Sequence, residues 1–133
     1  HHIVNLLMER GVPVLYGDSA SALLLKAAGA NRAGLVVVAL PDAISTRLTI
    51  REIRRLNPYV PIAARVQISD ELEATCSEGA NTVVQAEFEV SLELIRHTLL
   101  RLGHRPDAVQ KRIDSIRDRH YQKLREEEIC DIG

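Results

Sequence analysis

The stretch from Val12 to Asp42 constrains this chain more than any other. It reads VPVLYGD, then SASALLLKAAGANRAG, then LVVVALPD. A short β-branched run and a Gly-Asp turn lead into an apolar helix closed by Gly29 and then a second, more continuous apolar run, which is one βαβ unit. Unbroken Val and Leu without polar alternation indicate strands covered on both faces, as in parallel sheets flanked by helices. In such sheets ligands sit beyond the carboxyl ends of the strands. Gly17-Asp18 follows one of these strands and Pro41-Asp42 the next, so a small-molecule site is expected there.

The remaining chain extends the alternation. Residues 1–10, HHIVNLLMER, carry Ile3, Val4, Leu7 and Met8 at helical spacing and end at Gly11. Asp18 or Ser19 can cap the following helix, and Pro41-Asp42 opens another from Ala43 to Leu56. On that helix Thr46, Thr49, Ile50, Ile53 and Leu56 share one face. Arg47, Arg51, Arg54 and Arg55 cluster opposite and are read as a solvated face. Ile44 and Leu48 fall outside the core stripe, where another subunit could cover them. Asn57-Pro58 ends the helix, Ile62–Val66 forms the next strand, Ser69 or Asp70 caps a short helix to Ser77, and Thr82–Gln85 forms a last strand. Alternating strands and helices predict a parallel α/β sheet with right-handed crossovers.

From Glu87 the pattern is helical. Phe88, Leu92, Ile95, Leu99 and Leu102 keep one face, and Val90 with Leu94 adds apolar surface on a second. Gly103 stops this helix and Pro106-Asp107 starts another, with Val109, Ile113, Ile116 and Leu124 in a single stripe that His120 continues. With no strand left to cover, that stripe is expected to pack on a second copy of the chain.

Composition narrows the function classes. With 133 residues the chain is one domain, and a net charge of -1 provides no global field for nucleic acid or anionic lipid. Aromatic residues are 3% and Trp is absent, so stacking platforms for single-stranded nucleic acid are not available. Cys76 and Cys130 stand far apart without a CxxC or a histidine at ligand spacing, so no metal is assigned and a reducing cytoplasm is expected. Cys76 reads as a small buried hydrophobe.

The series GVPVLYGDSA, LLKAAGA, AGLVVVALPDA, REIRRLNPYVPIAARV and EGANTVVQAEFEVSLELIRHTLLRLG resembles the TrkA-N domain, also called RCK, the regulator of potassium conductance. It is most similar to the version at the cytoplasmic end of Kef-type potassium/proton antiporters, over roughly residues 3–103. The specific part is GDxxxxxxLxxAG, followed by strand-Pro-Asp and RxxNPxxxIxAR in this order. The resemblance implies a Rossmann-like parallel sheet truncated at its N-terminal side (residues 1–86), a crossover helix (87–104) and a helical dimerisation tail (105–133).

It further implies an adenine nucleotide, NAD(H) or of the AMP/ATP type. Gly17, Asp18 and Ser19 would lie beside it, Leu40, Pro41 and Asp42 at its adenine or ribose side, and Arg65 at the cleft between subunits. Implied partners are a second copy of the chain and a membrane-embedded potassium transporter or antiporter domain, gated from the cytoplasmic face of the membrane through dimer rearrangement. The family's GxGxxG loop and acidic ribose-binding strand are not in this sequence, so nucleotide binding by this chain is expected to be weak or absent. Ala63, Ala64, Arg65, Val66 and Gln67 stand where calcium-binding members of the family need carboxylates, which argues against calcium gating through that strand.

Two other classes compete. A fragment of an NAD(P)-dependent oxidoreductase would share the fold. It would also need an acid or base beside the nicotinamide, and His97, His104 and His120 all fall in the helical tail, with no Lys or Tyr at a strand end. A phosphoacceptor receiver needs several clustered acids for a hard cation, whereas Asp18 and Asp42 stand singly. Asp18 also serves as a helix cap, and Arg65 could pair with Glu71 or Glu73. The chain is therefore expected to be a regulatory domain without enzymatic turnover.

Overall fold

The computed structural model describes residues 22–126 apart from 28, with side chains at 25–27 and 29–122. The expected helix over 1–10, the strand Val12–Tyr16 and the candidate residues Gly17, Asp18 and Ser19 lie outside the described residues. The order is helix α1 (Ala22–Ala27), a 3-10 turn (Ala30–Arg32), strand β1 (Val36–Val38), helix α2 (Ala43–Leu56), strand β2 (Ile62–Val66), helix α3 (Asp70–Glu78), strand β3 (Thr82–Gln85), helix α4 (Ala86–Arg101) and helix α5 (Pro106–Glu126). Gly29, with φ +87°, turns the chain from α1 into the 3-10 segment.

The three strands are parallel in the order β1-β2-β3, with Val38 opposite Ala64 and Ala64 opposite Val83. Both crossovers step in the same direction, so crossovers of one hand deliver both helices to one face of the sheet. Consistent with this, α2 and α3 pack against each other and on the strands. Val38, Ile62, Ala64, Val66 and Val83 point into that layer and are buried with Ile50 and Ile53 of α2 and Leu72 and Cys76 of α3. The apolar stripe expected on α2 is the one observed: Thr46, Thr49, Ile50 and Ile53 are buried and Leu56 packs against the core. Ile44 and Leu48 are exposed, as their place outside the stripe requires.

Continuous apolar strands suggested cover on both faces, and here the expectation fails among the described residues. Val37 and Val84, on the alternate face, are 65% and 40% exposed, and their register partners on β2 are Ala63 and the exposed Arg65. The cause is topological: α2 and α3 occupy one layer.

Arg54 also departs from the solvated face assigned to it. Its guanidinium donates to the carbonyls of Gly79 (2.9 and 2.7 Å), Pro58 (3.1 Å) and Val60 (2.6 Å) and to Asn81 Oδ1 (2.6 Å). Asn81 Oδ1 in turn accepts from the backbone N–H of Ile62. Arg54 thus ties the end of α2 to the segments entering β2 and β3. Arg51 and Arg55 remain at the surface, pairing with Glu78 and Glu52.

The largest correction concerns the C-terminal helices. Val109 and Ile113, the first half of the stripe expected to need a second copy, are each 3% exposed and pack with Leu92 of α4 in the same chain. Phe88, Leu99, Leu100 and Ile116 flank this cluster. The α4 helix can serve both the sheet end and α5 because its buried face is narrower than the sequence suggested: Ile95 and Leu102 are exposed. The second apolar face of α4, with Val90 and Leu94, is bare within the chain at 60% and 64% exposure.

Candidate functional site

The carboxyl ends of the strands form the candidate edge. After β1 the chain runs through Leu40 and Pro41 to Asp42, whose extended backbone (φ -120°, ψ 150°) and side chain cap α2. One carboxylate oxygen accepts from Ser45 N–H at 2.7 Å, and Thr46 Oγ1 donates to the Asp42 carbonyl at 2.8 Å. The Ser45 N–H holds the Asp42 carboxyl below its usual range. The Leu40 side chain belongs to the core, so only its backbone faces the edge. Arg65, exposed near the end of β2, donates through Nη2 to the Leu40 carbonyl at 3.4 Å. The structure therefore brings Leu40, Pro41, Asp42 and Arg65 to one edge. Glu71 instead accepts from Gln67 N–H at 3.4 Å.

A second constellation lies at the end of β3. The Gln85 N–H donates to the Tyr121 hydroxyl, which donates to Glu89 Oε1, both at 3.1 Å. Arg117 closes on the same carboxylate at 3.0 to 3.3 Å. The Gln85 side chain donates to the Gln67 carbonyl (3.3 Å) and accepts from Ser69 Oγ (3.1 Å), and His120 Nε2 lies 2.5 Å from Gln85 Oε1. The His120 ring stacks on Phe88 at 3.6 Å, and Tyr121 meets Phe88 edge-on. Burial pushes the Tyr121 phenol up to about 12 and pulls the His120 ring below its ordinary value. Hydrogen bonding to Glu89 raises Arg117.

His120 lies in the helical tail, as read from the sequence, yet packing brings it and Tyr121 to the end of β3. His120 and Tyr121 are carried there by the return of α5 across α4. Gln85, Glu89 and Arg117 gave no sequence signal of the contact, which spans 36 residues between Gln85 and Tyr121. The one hint was an aromatic pair continuing the α5 stripe in a chain with three Tyr and one Phe. Among the described residues no group of His, Cys, Asp and Glu is arranged to hold a metal, and no helix is long and apolar enough to cross a membrane.

The TrkA-N domain family matches residues 1–86, which include the three strands and their crossovers. The chain belongs to the TrkA-N family. This TrkA-N domain is 30% identical over 116 residues to a putative K(+) efflux antiporter KefB of Alkalimonas amylolytica, covering 87% of the chain but only 18% of that relative. Among solved structures it is similar to the Kef CTD of Shewanella denitrificans in AMP-bound form (25% identity, TM-score 0.73, covering 85% of this chain and 71% of that one). It is also similar to the TrkA-N domain of the Escherichia coli inner membrane protein ybaL, with 28% identity, a TM-score of 0.56 and coverage of 78% and 73% of the two chains. The resemblance drawn from the motif series is thus correct in family and in its Kef-type kinship, and the Rossmann-like fold is the one expected.

Proposed function

We propose that this TrkA-N domain is a cytoplasmic nucleotide-sensing regulatory domain that gates a potassium transporter, antiporter or channel through rearrangement of a homodimer. It carries out no enzymatic turnover. The observation that carries this reading is the edge built by Leu40, Pro41, Asp42 and Arg65, in a chain similar to a Kef CTD that binds AMP. The donor set suits an adenine nucleotide: a guanidinium that offers a fork to phosphate, and a carboxylate that accepts from ribose hydroxyls. Gly17, Asp18 and Ser19 complete the site in this reading, and NAD(H) is the other candidate ligand.

In the same reading residues 1–86 form the sensing core, 87–104 the crossover helix and 105–133 a tail that braces the dimer. Because Val109 and Ile113 are already buried within one chain, the contact between copies falls to the bare face of α4, with Val90 and Leu94. Introducing Val90→Asp with Leu94→Asp is expected to give a monomer in sedimentation. An unchanged dimer mass would move the interface elsewhere.

The test of function uses the protein in its full reading frame, reconstituted in vesicles, with potassium flux followed against AMP and NADH. AMP or NADH is expected to change the flux, and Arg65→Ala to weaken that ligand by about tenfold, as the loss of one charge-assisted contact would. Flux indifferent to both nucleotides, or an Arg65→Ala protein with the parent's affinity, rejects the reading.

A further inference from the structure

At the carboxyl end of β3 a titratable ring, His120, meets the side chain of Gln85. The Gln67 carbonyl can only accept, so the Gln85 amide nitrogen faces it and Gln85 Oε1 faces Ser69 and His120. His120 Nε2 must then carry a hydrogen, and the neutral ring keeps its lone pair on Nδ1. One side of the ring lies against Phe88, 3.6 Å away and nearly parallel. Beside it Tyr121, 2% exposed, joins the backbone of β3 to Glu89. From His120 and Tyr121 of α5 the contacts run through Gln85 to Gln67 and Ser69, the connection that follows the strand carrying Arg65.

We propose that His120 is a proton-operated latch: neutral, it docks the C-terminal half of α5 onto Gln85 at the sheet edge, and acidification releases it. The ring is partly buried between the Phe88 face and the Tyr121 ring, so a proton on Nδ1 places a charge where packing has displaced part of its water. The charged groups around it offset that loss of water only in part. On α4, Glu89 attracts the charge, but that carboxylate is committed to Arg117 and to the Tyr121 hydroxyl. On the α3 side, Glu71 is turned to Gln67 N–H. On α5 itself, Asp118 and Arg119 line a groove with Lys111 and Asp114.

Burial accordingly holds the ring below its ordinary 6.5 in the docked state, against a smaller opposing pull from Glu89. A group depressed in this way takes up its proton more readily when undocked. Docking is therefore at full strength above about 6.5 and weakens as pH falls below it. The latch rests on the geometry of β3, α4 and α5, and holds whether or not the edge binds a nucleotide.

The test is hydrogen exchange on the 133-residue chain at pH 7.5 and 5.5, with protection factors taken over α5, together with an NMR titration of the His120 ring. Protection in the second half of α5 is expected to fall on acidification, by up to about tenfold for each unit by which the ring is depressed. In His120→Gln, which keeps a donor for Gln85 Oε1 without a titrating group, the fall is expected to vanish while protection at pH 7.5 is retained. A His120 ring titrating at or above 6.5 in the parent chain overturns the latch, as does α5 protection equal at the two pH values. An equal fall in parent and His120→Gln does so too. The ring titration needs no variant and decides the matter if His120→Gln fails to fold.

Discussion

At the amino ends of β2 and β3, one guanidinium gathers the backbone carbonyls of both entering segments and an amide oxygen. At the carboxyl end of β3, the corresponding join takes Gln85, Glu89, Arg117, His120 and Tyr121, drawn from the strand and two helices. The first anchor is one rigid fork of donors closed on backbone carbonyls and an amide oxygen. The second contains a histidine, whose charge changes near neutrality. The difference separates a permanent end of the sheet from a conditional one. The conditional end is the one that carries the candidate site, where the regulatory role proposed above calls for an element of low local stability.

The contrast is most strongly tested at Arg54. Arg54→Ala leaves the carbonyls of Gly79 and Val60 without their donor, and should cost about 2 to 4 kcal/mol in urea unfolding. Arg54→Lys should recover little, since a single ammonium cannot span both loops. The loss should be the same at pH 5.5 and 7.5. A loss confined to one pH would mean that the amino end is conditional too. Gly79→Ala probes the same anchor from the other side: at φ +128° a Cβ would stand 2.8 Å from Arg54 Cγ and 3.0 Å from Nε. It is expected to cost about 1 to 3 kcal/mol, through backbone strain and displacement of the guanidinium.

At the other end, Tyr121→Phe keeps the ring packed against Phe88 but removes the hydroxyl that bridges Gln85 N–H and Glu89. A buried backbone donor is then left without its partner, at about 1 to 2 kcal/mol. This loss should shrink at acid pH, because a helix already released by His120 has less to lose. Additivity of Tyr121→Phe with acidification, read from unfolding at the two pH values, would show that the two contacts do not form one latch.

How much of this was legible in the sequence depended on the range of the interaction. The α2 helix was read correctly from Ala43 to Leu56, because its signals are local: Pro41-Asp42 before it, threonines and isoleucines at helical spacing, and Asn57-Pro58 after it. Strands β2 and β3 were likewise read at their observed bounds, whereas the run Leu35–Leu40 pairs only over Val36–Val38. The strand end at Pro41-Asp42 followed from the parallel topology, whereas Leu40 and Arg65 were named through the family resemblance, and the contact between them joins residues 25 positions apart. Arg54 was misread because its partners lie up to 27 positions away, and nothing local separates it from Arg51 or Arg55. The α5 stripe was recognised but given the wrong partner, since counting apolar residues does not show whether α4 and α5 can turn their stripes toward each other. Val109 and Ile113 against Leu92 settle that within one chain.

The smallest expected effect sharpens the carboxyl end itself. Asp42 caps α2 through a bond that is local in sequence, from Ser45 N–H, and its carboxyl is held below its ordinary 3.8. A depressed carboxyl stabilises the folded state at pH values above 3.8, and that contribution is lost as pH falls through the folded value. The cap and the latch therefore fail in separate windows, one as pH falls below 3.8 and one as it falls below 6.5. Asp42→Asn keeps an acceptor for Ser45 N–H and should leave thermal stability at pH 7 unchanged, whereas Asp42→Ala should lower it slightly. The same pair separates capping from ligand contact. If the carboxylate also receives ribose hydroxyls, as proposed, Asp42→Asn should weaken AMP in calorimetry of the full-length protein while the helix stays intact. Unchanged AMP affinity in the Asn variant would reduce Asp42 to a cap and leave Arg65 as the edge's contact to the nucleotide.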